Sequence, residues 1–298
     1  MKILLFGKDG QVGWELQRSL APLGELVALD IHSTQFCGDL TDPAGLARTV
    51  ALVKPDVIVN AAAYTAVDRA EAEPALARAI NAVGPGALAQ AAREAGALMV
   101  HYSTDYVFDG SGERPWREDD AARPLNIYGQ TKLEGERLVA APCARHLILR
   151  TSWVYASRGP NFARTMLRLA GEQAHLQVVD DQIGAPTGAD LLADVTAHAV
   201  RATLLRPELA GLYHVTAAGQ TSWCDYARFV LERAAHAGAK LKAAASAVQA
   251  VPSSQYPVAA TRPLNSRMDI SRLRDKFGLA LPHWQPGVAR MLTEILQP

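Results

Sequence analysis

The sequence predicts an α/β fold: a doubly wound parallel sheet with a smaller mixed α/β lobe. Three observations carry this expectation. Short β-branched runs alternate with longer Ala/Leu-rich stretches through the first half of the chain. The short runs show little polar alternation, as parallel strands covered on both faces do. A glycine-rich turn joins the first run to the first helical stretch.

In chain order, the runs at residues 2–6, 25–30, 57–60, 98–103 and 146–151 read as strands. Residues 11–20, 43–54, 74–95 and 129–141 read as the helices between them. Beyond about residue 152 the alternation loosens. Short strands are expected at 176–179 and 211–215, with helices at 189–205 and 222–237. Residues 240–252 are rich in Ala, Val and Ser and end in Pro252-Ser253-Ser254, which reads as a poorly anchored connection. Residues 1–152 are expected to form a nucleotide-binding domain. Residues 153–298 then form mainly a substrate lobe, partly interleaved with it.

Composition narrows the function. The 298 residues hold 30 Lys+Arg against 30 Asp+Glu, so no surplus of positive charge exists to displace counterions from nucleic acid. At 49% hydrophobic residues, disorder is excluded, and no apolar run is long enough to span a membrane. The N-terminal apolar run stops at Phe6 and enters a turn, unlike a signal peptide. Cys37, Cys143 and Cys224 are far apart, which favours a reducing cytoplasm over disulfides or a metal site.

Gly7-Lys8-Asp9-Gly10-Gln11-Val12-Gly13 follows the first strand and opens the first helix. Gly7 permits the tight turn, Gly10 lets backbone approach a pyrophosphate, and Gly13 lets helix pack on strand. The amides of Gln11 and Val12 then sit at a helix N-terminus, where anions bind. Asp30 ends the second strand, placed to bond an adenosine ribose, which favours NADH. Lys8 offers partial compensation for a 2′-phosphate, so NADPH and NADH both remain open.

Tyr128-Gly129-Gln130-Thr131-Lys132 places a phenol and an ammonium one turn apart on a helix. A carbonyl receiving hydride needs a proton donor. An ammonium about 4 Å from the phenol favours phenolate by about 4 kcal/mol at an effective dielectric near 20. That predicts a Tyr128 pKa brought down toward neutrality. Thr104 ends a strand, where ligands of such sheets sit.

These motifs resemble the extended short-chain dehydrogenase/reductases, whose Rossmann-type fold carries the GxxGxxG spacing. Within them the chain is similar to the dTDP-4-dehydrorhamnose reductase family. The matching stretches are Asn60-Ala61-Ala62-Ala63-Tyr64-Thr65-Ala66-Val67-Asp68, Ser103-Thr104-Asp105-Tyr106-Val107-Phe108-Asp109-Gly110, Arg150-Thr151-Ser152-Trp153-Val154-Tyr155, Asp181-Gln182-Ile183-Gly184-Ala185-Pro186-Thr187 and Arg262-Pro263-Leu264-Asn265-Ser266. The resemblance covers nearly the whole chain.

The resemblance implies reduction, by NADPH or NADH, of the 4-keto group of dTDP-4-dehydro-β-L-rhamnose, toward a cell-surface polysaccharide precursor. Tyr128 would be the proton donor, Lys132 its tuner and ribose anchor, and Thr104 the third catalytic group. Asp39 and Leu40 would meet the adenine, and Ala62, Ala63, Tyr64 and Thr65 the cofactor. Thr104 and Asp105 would hold the sugar, Trp153 would shape its pocket, and Arg262 would meet the diphosphate. Glu15, Asp190 and Glu294 would be candidates for a Mg²⁺ site at a dimer interface. The expected partner is a small nucleotide sugar, and the expected assembly is a monomer or homodimer.

Three alternatives are weighed, and the first is disfavoured. A nucleotide-sugar 4,6-dehydratase would carry an Asp-Glu pair after the Thr, and here Tyr106 follows Asp105. Another nucleotide-sugar 4-reductase or an epimerase would use the same Tyr/Lys pair. A non-catalytic dinucleotide-binding regulatory subunit would lose part of the triad that this chain keeps.

Overall fold

In the computed structural model, which describes residues 1–296, six parallel strands form the central sheet. In the first half, β1 (Lys2–Phe6), α1 (Gln11–Leu20), β2 (Glu25–Leu29), α2 (Pro43–Val53) and β3 (Val57–Asn60) are followed by α3 (Val67–Ala72) and α4 (Pro74–Arg78). Then come α5 (Gly84–Ala95), β4 (Leu98–Thr104), α6 (Ile127–Ala140) and β5 (His146–Thr151). The second half begins with β6 (Val154–Tyr155), α7 (Phe162–Glu172), β7 (Leu176–Val179), β8 (Ile183–Gly184), β9 (Thr187–Gly188) and α8 (Ala189–Leu205). It continues with β10 (Gly211–His214), β11 (Thr221–Ser222), α9 (Trp223–His236), β12 (Val248–Val251), α10 (Ser271–Phe277) and α11 (Trp284–Leu296).

The sheet order is β2-β1-β3-β4-β5-β10. Successive strand residues point to opposite faces. Ile3, Leu5, Val57, Val59, Leu147 and Leu149 enter one core with Leu16 of α1 and Leu192 of α8. Leu4, Phe6, Ile58, Met99 and Ile148 enter the other, with Leu46 of α2 and Leu88 of α5. Burial on both faces explains the unbroken apolar runs. A third core joins α7, α9 and α11 around Tyr226 and Trp284. Thus β10 and α8, from the second half, complete the sheet and one of its covering layers.

Two local expectations are corrected. The single helix expected at 74–95 is broken by a π-turn at Ala79–Val83. Pro85 lies just past it; its ring would clash with the carbonyl four residues back, that of Asn81, so the turn widens there. The connection expected to be loose contains β12, which pairs in parallel with β7 and buries Val248 and Val251. Its partner is distant in sequence, so no local turn signal announces it.

Candidate active site

The glycine loop is constrained from both sides. Gly7 sits at φ +84°, and a Cβ there would lie 2.6 Å from the Ala62 amide nitrogen. A Cβ on Gly13 would lie 1.9 Å from the Gly7 carbonyl. Gly10 caps α1 without a side-chain hydrogen bond, leaving first-turn amides for a ligand. Gly7, Gly10, Gln11 and Val12 line a cavity of about 460 Å³, whereas Gly13 is packed behind the loop.

Asp30, Asp39, Leu40, Ala62, Ala63 and Thr65 line the same cavity. Tyr64 does not; its hydroxyl donates to Glu73 and its amide to the Asn81 side chain. Asp30 is held down to about 2 by hydrogen bonds from Asp9 and Ser33, with Lys8 at 3.7 Å. Asp9 is pushed up, chiefly by the same carboxyl–carboxylate contact. Asp9 also lines the cavity, although nothing in the sequence distinguishes it from an ordinary loop residue.

At the other end stand Tyr128 and Lys132, on the first turns of α6, with Ser103 and Thr151. The Asn126 side chain accepts from the Gly129 amide and starts the helix at this point. The Lys132 ammonium donates to the Tyr102 carbonyl at 2.6 Å. Burial lowers Lys132 to about 8 and raises Tyr128 to about 12, with a Thr104 hydrogen bond pulling Tyr128 back. This runs against the expected depression of Tyr128: burial raises the phenol, Asp105 adds to the rise, and Lys132 is not among the groups acting on it. The phenol keeps its proton at neutral pH, which is the form a proton donor needs.

Thr104 donates to Asp105 at 2.9 Å, and both are buried where β4 ends. Residues Tyr102 and Ser103 before them line the smaller cavity, and Tyr106 after them lines a second one of about 920 Å³. Tyr106 and Tyr128 meet edge to face at 5.5 Å, so the two cavities adjoin at this ring pair. Burial pushes Asp105 up to about 6, against hydrogen bonds from Ser266 and Thr104.

The larger cavity is also lined by Asp68, Phe162, Met166, Gln182, Trp223 and Arg262. Arg262 grips both oxygens of Asp68, at 3.0 and 2.6 Å. Trp153 stands behind Trp223 rather than in the cavity wall. Trp223 opens a helix far from every motif and carried no sequence signal.

Asn81 was likewise missed. In the π-turn its amide accepts from the Tyr64 amide at 2.8 Å and donates to Tyr64 O and to Thr131 Oγ1 of α6. It fastens the 61–65 loop to the catalytic helix. The Asn beside a Pro-interrupted helix was the available clue.

The Mg²⁺ expectation gains no support. Glu15, Asp190 and Glu294 do border one small pocket, but arginines already neutralise them. Arg290 reaches Asp190 and Glu294 at 3.6 and 3.2 Å, and Arg18 reaches Glu15 at 3.4 Å. Among the described residues no cluster of three metal-ligating side chains forms.

Comparison with known proteins agrees with this geometry. The family model of the RmlD substrate binding domain matches residues 1–297. A dTDP-4-dehydrorhamnose reductase of Salmonella typhimurium is 60% identical over 295 residues, covering 99% of this chain and 98% of that protein. The crystal structure of a dTDP-4-dehydrorhamnose reductase from Clostridium acetobutylicum superposes with a TM-score of 0.90 at 34% identity, covering 100% of both chains. The Bacillus anthracis dTDP-4-dehydrorhamnose reductase in complex with NADP gives a TM-score of 0.87 at 34% identity, covering 98% of this chain and 99% of that one. The chain belongs to the RmlD substrate binding domain family and is a homologue of the dTDP-4-dehydrorhamnose reductases.

Proposed function

We propose that this chain is a reductase that converts dTDP-4-dehydro-β-L-rhamnose to dTDP-β-L-rhamnose with NADPH or NADH. The observation that carries the reading is the meeting of two cavities at the Tyr106–Tyr128 ring pair. One has the dimensions and glycine-lined wall a dinucleotide needs; the other has room for a nucleotide sugar. The buried Ser103 Oγ and Thr151 Oγ1, both without partners, face a cofactor-shaped space and fit a polar ligand group there.

When bound, the reduced nicotinamide supplies the hydride. The residues do the rest. The first-turn amides of α1 meet the pyrophosphate, and Asp30 the adenosine ribose. Thr104 orients the keto oxygen. Tyr128 donates its proton as negative charge develops there; the alkoxide is a far stronger base than a phenolate. Lys132 stabilises the phenolate left behind and holds the nicotinamide ribose. Asp105 and Tyr106 border the sugar, and Arg262 exchanges Asp68 for the diphosphate. Residues 1–152 thus serve mainly the dinucleotide and 153–298 mainly the sugar nucleotide. The three unpaired cysteines support a cytoplasmic setting; no described helix is long and apolar enough to cross a membrane.

The test is to mix the protein with dTDP-4-dehydro-L-rhamnose and each reduced cofactor at matched concentration. Loss of reduced-nicotinamide absorbance is expected. No loss with either cofactor would sink the assignment, and the ratio of rates sets the cofactor preference.

A further inference from the structure

Helix α6 carries a third ionisable side chain on the face that bears Tyr128 and Lys132. Glu136 stands one turn beyond Lys132, as Lys132 stands one turn beyond Tyr128. Both Glu136 oxygens are taken by Arg150 of β5, each at 2.7 Å. The two side chains are only 7% and 5% exposed. We infer that Glu136, locked in place by Arg150, is a positioning residue that keeps the buried Lys132 ammonium charged for catalysis.

An ion pair is neutral overall, so its effect on a third group depends on which end is nearer. Glu136 shares a helix with Lys132. Arg150 comes from the neighbouring strand, lies against the Phe108 ring at 5.0 Å, and acts on His214 of β10. Glu136 acts on Lys132 against burial, and Arg150 is not among the groups that act on it. No other anion acts on Lys132; the nearby Asp105, where β4 ends, acts on Tyr128 instead. Tyr128 on α6 and Tyr102 on β4 are protonated phenols, and His101 on β4 is kept neutral by burial and by Lys132 itself.

A purely structural role predicts something different. An ion pair that only pins α6 to β5 is replaceable by apolar side chains of like volume. One that tunes Lys132 is not. The inference rests on the reductase reading, and the experiment separates the two. We would measure kcat/KM against pH for the native chain, Glu136→Gln, Glu136→Asp and the double variant Glu136→Leu/Arg150→Met. Circular dichroism would check that each is folded.

In the native chain the alkaline limb reports Lys132, which lies at about 8. The double variant moves that limb down by about one unit, an about tenfold deficit at alkaline pH, and stays within about threefold of native in mildly acid solution. Glu136→Gln, which leaves Arg150 unopposed, moves it at least as far. Glu136→Asp keeps the charge and the native profile. A folded double variant whose profile runs parallel to the native one overturns the inference. If the native chain does not reduce the sugar, the reductase reading fails instead. The inference is then decided by the Lys132 side-chain nitrogen resonance, assigned by its loss in Lys132→Met. A lower Lys132 pKa in the double variant upholds it, and an unchanged one overturns it.

Discussion

The indole of Trp153 lies flat against that of Trp223, with ring centroids 3.6 Å apart and planes 13° from parallel. Trp223 faces the larger cavity, and Trp153 holds it there. Trp153 adopts φ +49°, a conformation bulky residues rarely take, and its ring passes over Gly184, where a Cβ would lie 2.7 Å away. Trp223→Ala should raise KM for the nucleotide sugar about tenfold, as loss of one aromatic wall allows. Dinucleotide affinity should not move. Steady-state kinetics with each substrate varied in turn checks this; an unchanged sugar KM would remove Trp223 from the binding wall.

Tyr128→Phe removes the proton donor and little else. kcat should fall by about 10²–10⁴ while dinucleotide binding, followed by fluorescence, stays near native. Turnover at the native rate would contradict the role given to the phenol.

The raised pKa of Asp105 makes its charge costly to the fold. Below about pH 4 the carboxyl is protonated in both states and costs nothing. As pH rises toward 6 the unfolded chain releases the proton first, so stability falls, and above 6 the cost is constant at about 3 kcal/mol. Asp105→Asn should therefore raise Tm at pH 8, gain little at pH 4, and impair sugar turnover. Thermal unfolding at the two pH values measures the difference, and equal gains at both would refute the assignment.

Buried histidines act in the opposite sense. His214 is pushed down to about 3, and His101 well below its ordinary range, both chiefly by burial. Each is neutral when folded but takes up a proton near pH 6.5 when unfolded, so stability is lost as pH falls from there. In the native chain the gain from Asp105 partly offsets this loss between pH 6 and 4. Urea unfolding should therefore show a steeper acid loss in Asp105→Asn than in the native protein.

Two glycine substitutions separate space from propensity. Gly13→Ala places a methyl 1.9 Å from the Gly7 carbonyl and should abolish dinucleotide binding. Gly171→Ala, inside α7 with open space around it, should stabilise the protein by about 0.5–1 kcal/mol. Calorimetry with and without dinucleotide distinguishes the two.

The sheet was legible because its strands are apolar on both faces and its turns carry glycine. The observed β1, β3 and β5 have the bounds their sequences predict, and helix α6 begins only two residues early. The loop-and-triad motifs were legible because their chemistry demands fixed spacing. What escaped depends on distance across the fold. Val248–Val251 becomes a strand only beside Leu176–Val179. The Arg262 fork was matched to a phosphate without knowing that Asp68 would reach it first. Spacing along the helix shows Tyr128 only the neighbour four residues away, whereas its desolvation is set by the whole wall around it. Trp223 and Asp9 enter the site by topology alone.

The outermost strand of the sheet sets an order on biosynthesis. β10 pairs along β5 across more than fifty intervening residues, and its carbonyl-side neighbour Val215 bonds Arg150. Until residue 214 leaves the ribosome, β5 is an open edge of Leu-Ile-Leu backbone, available to any other strand. A chain cut after Ser152 would keep every catalytic motif of the first half and expose that edge permanently. The reductase machinery is therefore encoded early in the chain but becomes safe from aggregation only when a segment from the second half arrives to cap it.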